Sequence, residues 1–153
     1  MQKITPYLWF DNQAEEAMTF YTSIFPDSKI KDVMRPDPNG PLLAATFELH
    51  GQEFMVLNGG PQFNFTEAIS FFVKCETQEE VDELWGKLTA DGGEESMCGW
   101  LKDKYGLSWQ IVPNLLGELL GDPDAEKAKR VMEAMLQMKK IDTNVLRQAY
   151  EQS

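Results

Sequence analysis

Two stretches of the chain carry the same hydrophobic pattern. His50-Gly51-Gln52-Glu53-Phe54-Met55-Val56-Leu57-Asn58 and Tyr105-Gly106-Leu107-Ser108-Trp109-Gln110-Ile111-Val112-Pro113 each place an aromatic residue three positions after a glycine and a β-branched residue two positions further on. Alternating runs of this kind, bounded by turn formers, predict short strands. Matching Gly51 to Gly106 puts Phe54 on Trp109, Met55 on Gln110 and Val56 on Ile111. Further strands are predicted at 4–10, 28–34, 42–49, 69–75, 95–98 and 100–102, separated by the breaks Pro36-Asp37-Pro38-Asn39-Gly40-Pro41 and Gly59-Gly60-Pro61.

Two stretches have helical period instead. Ala14, Ala17, Met18, Tyr21, Ile24 and Phe25 recur at three- and four-residue spacing, with Asn12 as the expected N-cap, Glu15 three places on, and Pro26-Asp27 as the stop. Val81, Leu84, Trp85 and Leu88 repeat that stripe behind the capping box Thr77-Gln78-Glu79-Glu80, and Gly92-Gly93 ends it. Glu15 to Tyr21 then superposes on Glu79 to Trp85, and Thr5, Tyr7 and Trp9 fall on Ser70, Phe72 and Lys74. The expectation is one chain made of two β-α-β-β-β modules, about 1–58 and about 69–113, joined by a linker at 59–68. A helical extension occupies 114–153. Asp122-Pro123 is its expected N-cap and first turn, and its stripe is Ala128, Val131, Met132, Met135 and Met138. A last helix follows Asp142-Thr143. Helices this short must pack on the sheet or on a second chain.

Composition narrows the function classes. A net charge of −11 argues against sequence-independent binding to nucleic acid or to anionic lipid, since both need concentrated positive charge. No apolar leader and no run of membrane-spanning length is present, so the expectation is a cytoplasmic protein. Cys75 and Cys98, without CxxC spacing, read as reduced thiols: Cys75 as core, Cys98 as a small hydrophobe rather than a reactive thiol. Gly106-Leu107-Ser108-Trp109-Gln110 lacks the last glycine of a nucleophile elbow, and the chain has a single histidine, His50, in a turn. No G-x-G-x-x-G turn offers an S-adenosylmethionine site.

Ile4-Thr5-Pro6-Tyr7-Leu8-Trp9-Phe10-Asp11, Ala14-Glu15-Glu16-Ala17, Ile24-Phe25-Pro26, Ser70-Phe71-Phe72-Val73, Gln78-Glu79-Glu80-Val81-Asp82 and Tyr105 to Pro113 resemble the PhnB-like branch of the glyoxalase/bleomycin-resistance, or vicinal oxygen chelate, superfamily. Met135-Leu136-Gln137-Met138-Lys139-Lys140-Ile141-Asp142 extends the resemblance into the tail. The resemblance implies an α+β glyoxalase/bleomycin resistance/dihydroxybiphenyl dioxygenase fold. In it, paired β-α-β-β-β modules with curved mixed sheets enclose a small-molecule cavity, usually in a homodimer. Members often carry the label 3-demethylubiquinone 3-methyltransferase.

Metal-dependent members hold His or Glu at four strand positions, which fall here near Thr5, Met55, Ser70 and Gln110. None is a strong ligand for a divalent ion, so neither metal nor cofactor is expected, and a glyoxalase or dioxygenase mechanism lacks its electrophile. Strand alternation sends Tyr7, Trp9, Met55, Leu57, Ser70, Phe72, Ser108 and Gln110 to the concave side. Aromatic walls with polar tips describe either a ligand pocket or a closed core, and Gln110 either meets a ligand or bonds across its strand. The reading carried forward is a metal-free protein that binds a small, partly apolar or aromatic molecule at Tyr7, Trp9, Met55, Ser70, Phe72 and Gln110. The alternative is an enzyme of the superfamily acting by another mechanism, including the methyltransferase of the label.

Overall fold

The computed structural model describes residues 2–152. The chain divides into two compact units, one ending at Asn64 and the other beginning at Phe65. The first is built from β1 (Tyr7–Phe10), α1 (Ala14–Ile24), β2 (Lys29–Met34), β3 (Ala44–Leu49) and β4 (Gln52–Asn58). Its sheet runs β1-β4-β3-β2, with β1 parallel to β4 and the other pairs antiparallel. Alternation buries Leu8, Phe10, Ala45, Phe47, Phe54 and Val56 on the face that α1 covers with Ala17, Met18 and Tyr21. Phe47 stacks between Tyr21 and Phe54, at centroid distances of 6.4 and 5.4 Å. Full burial of such a side chain contributes about 1.5–3 kcal/mol, so this face holds the first unit together.

Asn12 does not cap α1. Gln13 holds the cap position without a side-chain bond, and the first helical amide, Ala14 N–H, donates to Asn58 Oδ1 at 2.8 Å. The cap is supplied by β4, whose Asn58 also donates from Nδ2 to Leu42 O. A residue of the adjacent strand thus does what the local Asn was expected to do.

The second unit repeats the plan with β5 (Ser70–Cys75), α2 (Gln78–Thr89), a single 3₁₀ turn at Ala90–Gly92, β6 (Glu94–Glu95), β7 (Trp100–Lys102) and β8 (Ser108–Pro113), in the order β5-β8-β7-β6. Tyr7 lies opposite Met55 and Phe72 opposite Gln110, so the two parallel ladders agree with the alignment of the two halves. Thr77 accepts the Glu80 N–H as a capping box requires, while Glu80 reaches back to the Glu76 amide. The strand expected at 95–98 is only Glu94–Glu95; Cys98 and Gly99 instead turn the chain with left-handed φ of 59° and 85°.

Before β8, Asp103 is almost completely buried and organises the turn. Its Oδ1 accepts from the amides of Tyr105 and Leu107, and its Oδ2 accepts from Trp109 Nε1 at 2.9 Å.

The tail is α3 (Asn114–Leu120), α4 (Ala125–Met135) and α5 (Thr143–Glu151), and it belongs to the second unit. Val112, Leu116, Val131, Ile141 and Leu146 form its core, with Met135 and Met138 packed against it. Met132 does not join them; it is half exposed, one step round the helix from Val131. The cap of α4 is Asp124, two residues later than expected. Asp122 is engaged elsewhere, accepting the Tyr150 hydroxyl at 2.6 Å and the Asp124 amide.

Backbone bonds tie this bundle to the module: Cys98 N–H donates to Met138 O at 2.7 Å and Gly99 N–H to Lys139 O at 2.8 Å. Gly99 is required here twice over, by its φ and because a Cβ would lie 3.1 Å from Ile111 O. Gln78 adds a side-chain clasp, donating to Ile141 O and accepting from Thr143 N–H. Gln78→Ala is expected to cost about 1–2 kcal/mol through these two bonds. Limited proteolysis at Lys139-Lys140 should be faster than in the parent; unchanged cleavage would show that the clasp is idle.

Candidate functional site

Each sheet has one face covered by its helix and one without a helix, termed here the open face. In the first unit the open face carries Tyr7, Trp9, Met55 and Leu57. Tyr7 is 51% exposed, and Met55 is directly opposite it on β4. Trp9 is half-buried under the end of its own unit. Its Nε1 donates to Gly60 O at 2.9 Å, Phe63 meets the ring edge-on at a centroid distance of 5.0 Å, and a Cβ on Gly59 would fall 2.4 Å from two ring atoms. Trp9 is therefore a wall held in place by the segment after β4.

In the second unit Ser70, Phe72 and Gln110 come together. Phe72 is 55% exposed and lies opposite Gln110, whose Nε2 donates to Ser70 Oγ at 3.0 Å. The cross-strand partner of Gln110 is thus Ser70, which leaves the amide oxygen pointing away from that bond as an acceptor. On the sides expected to face the helices, Leu8, Phe10, Val56, Trp109 and Ile111 are buried, while Phe71 and Val73 are only half-buried.

The four metal positions of the superfamily do not fit a divalent ion in this chain. Thr5 Oγ1 donates to Glu53 Oε2 at 3.1 Å, Met55 offers only a thioether, and Ser70 and Gln110 bond each other. Hydroxyl, thioether and amide are poor substitutes for imidazole and carboxylate. Among the described residues no three His, Cys, Asp or Glu side chains converge as a metal-holding group. Burial pushes the Cys75 thiol up to about 12, so it stays protonated and inert as a nucleophile.

A polar row went unnoticed in the sequence. Across the second sheet Glu94 lies opposite Lys102, Lys102 opposite Ser108, and Ser108 opposite Ser70. Lys102 Nζ pairs with Glu67 at 3.2 Å, and the hydrogen bond holds the Glu67 carboxyl below the usual range. Ser108 is fully buried, and its Oγ has no hydrogen-bond partner among the described residues. Around these side chains lies a recess of about 140 Å³, walled also by Trp100 and Ser96. The alternation in Trp100-Leu101-Lys102 could have placed Lys102 beside Ser108, had the two-residue strand next to it been recognised.

The first sheet carries the counterpart row, Lys29 opposite Glu48 and Glu48 opposite Glu53. All of its charges are paired: Lys29 with Glu48 at 3.5 Å, and Glu53 with Lys31 at 3.2 Å and with the Thr5 hydroxyl. The Lys31 bond, and next the Thr5 bond, hold the Glu53 carboxyl below its ordinary value.

The comparisons with known proteins agree with this architecture. A crystallised PhnB protein from Bacillus cereus, described as a putative 3-demethylubiquinone-9 3-methyltransferase, is 45% identical. The match covers 73% of this chain and 99% of that one, with a TM-score of 0.67. A glyoxylase/bleomycin resistance protein/dioxygenase domain from Frankia is 16% identical over 74% of this chain and 92% of its own, with a TM-score of 0.51. The fosfomycin resistance protein FosX of Listeria monocytogenes, solved with Mn(II) and sulfate, is 18% identical over 71% and 89%, with a TM-score of 0.50. The last two show the shared fold alone. No curated protein matches the chain significantly. The model of the 3-demethylubiquinone-9 3-methyltransferase family matches residues 2–112, and the chain belongs to that PhnB-like family, with the glyoxalase/bleomycin resistance fold.

Proposed function

We propose that this protein binds a small, partly apolar or aromatic molecule against the open sheet faces, without a metal ion or an organic cofactor. The observation that carries the reading is the pair Tyr7 and Phe72. They hold equivalent places in the two ladders, and both keep an aromatic ring more than half exposed beside an uncharged polar or thioether neighbour. Exposed rings with polar neighbours are the kind of lining a small-molecule site uses, which supports the reading. The reading includes a homodimer in the cytoplasm. The exposed Met34 and Ile69 support self-association, and two unbridged cysteines suit a reducing compartment. Among the described residues no helix is long and apolar enough to cross a membrane. The net charge of −11 speaks against nucleic acid as a partner.

The family's name points to methyl transfer, and the Bacillus cereus PhnB protein carries that label. Calorimetry with S-adenosylmethionine, Mn²⁺, Zn²⁺ and Ni²⁺ is expected to show no tight uptake, while native mass spectrometry of the purified protein should show a retained small molecule. Phe72→Ala should abolish retention and shift stability by no more than about 0.5 kcal/mol, because the ring buries little. Tight uptake of a metal or of S-adenosylmethionine would overturn the reading, and monomeric sedimentation would remove its homodimer.

A further inference from the structure

We infer that the recess of the second sheet is a seat for a carboxylate group, with Ser108 and Lys102 as its donors. The inference rests on the small-molecule reading above and deepens it. Its template lies within the chain. The alignment that sets Phe54 on Trp109 sets Glu53 on Ser108 and Thr5 on Ser70. In the first unit that position holds a carboxylate, which takes one hydrogen bond from a hydroxyl and one from an ammonium. In the second unit the position holds Ser108, shorter by two heavy atoms at its tip and without a carboxylate. The ammonium, Lys102, is present on the neighbouring strand, opposite Ser108.

Ser108 and Lys102 line the recess of about 140 Å³, and the fully buried Ser108 hydroxyl has no hydrogen-bond partner among the described residues. A buried hydroxyl left unpaired costs about 1–3 kcal/mol, and a bound group that pairs it recovers that cost.

Lys102 already shows its taste in partners by holding the carboxylate of Glu67, which is itself largely exposed. Glu67 acts as a resident competitor that an incoming carboxylate displaces to solvent. Two other acids bound the recess. Glu95 is engaged by the Trp85 indole at 2.8 Å, and Glu94 lies on the far side of Lys102 from Ser108. The repulsion from Glu94 therefore confines a ligand carboxylate to the Ser108 side. Trp100, which lies opposite Gln110 on the adjacent row, presents an aromatic wall to the rest of the ligand. The ligand class is a small aromatic or apolar acid.

Three isosteric probes separate charge from shape: benzoate, benzamide and benzylammonium, titrated into the full chain at constant ionic strength and followed by the Trp100 indole N–H resonance. Benzoate is expected to saturate, and the other two are not. Ser108→Ala should weaken benzoate about tenfold or more, the loss of a hydrogen bond to a charged group, while leaving the melting temperature unchanged or raised. Glu67→Gln should tighten benzoate by freeing Lys102. These two variants move affinity in opposite directions, which a general loss of folding cannot imitate. Binding of benzamide or benzylammonium in preference to benzoate would overturn the carboxylate seat and leave the small-molecule reading standing. Absence of saturation by all three, with no molecule retained by the purified protein, would overturn both. Benzoate binding unchanged by Ser108→Ala and by Glu67→Gln would place the acid elsewhere and end the proposal.

Discussion

Asp103→Ala is expected to lower the stability of the second unit by about 3–5 kcal/mol. The carboxylate is buried and accepts from two turn amides and from the Trp109 indole. Hydrogen bonds to a charged acceptor contribute about 1.5–3 kcal/mol each, and alanine would leave the Trp109 N–H without this acceptor inside the protein. The backbone bonds of the same turn, Asp103 N–H to Leu107 O and Gly106 N–H to Asp103 O, would lose the side chain that braces them. For a chain of this size the loss corresponds to a fall of about 10 °C or more in the melting temperature. Asp103→Asn keeps one acceptor oxygen and should fall between the parent and the alanine variant. Thermal melts followed by near-ultraviolet circular dichroism would check the ordering, and an alanine variant as stable as the parent would mean that the turn stands without its carboxylate.

Gly59→Ala should destabilise the first unit by about 2–3 kcal/mol. The added methyl would meet Trp9 Cε2 and Cζ2 at 2.4 Å and Cη2 at 2.7 Å, distances that force the indole out of its place. The ring cannot retreat cheaply, because its Nε1 is bonded to Gly60 O and Phe63 closes its edge. A double-mutant cycle isolates the cause. In a Trp9→Leu background, which removes the ring atoms in question, Gly59→Ala should cost less than about 1 kcal/mol. Equal costs in both backgrounds would assign the effect to the backbone of the segment instead.

The strand faces were legible in the sequence because period-two alternation is a local property. Leu8 and Phe10, Phe54 and Val56, and Trp109 and Ile111 are buried where the pattern puts them. Equivalence of the two halves was legible for the same reason, since Tyr7 with Met55 and Phe72 with Gln110 follow from strand register. The helix caps at Asn12 and Asp122 were misread because their outcome depends on residues far along the chain, Asn58 in one case and Tyr150 in the other. Part of the docking of the tail was also hidden, since the bonds from 98–99 to 138–139 run through backbone groups, which carry no side-chain signature. Of the candidate site, the exposed aromatics and the Gln110 to Ser70 bond could be anticipated. The Lys102 and Ser108 row could not, because β6 is only two residues long and gives no periodicity to read.

The edge strand β2 carries a consequence for behaviour at high concentration. Every residue of Lys29–Met34 is exposed, it ends the first sheet, and its register slips between Ile30 and Asp32. An open edge that also shows Ile30, Val33 and Met34 would ordinarily invite a second chain to add a strand. The slip breaks the straight row of donors and acceptors that such an addition needs, and Lys29, Lys31 and Asp32 set charge along it. The strand is thereby guarded against fibre-like stacking while its apolar side chains stay on the surface, so a crowded solution of the protein should stay clear where an unguarded edge would turn it cloudy.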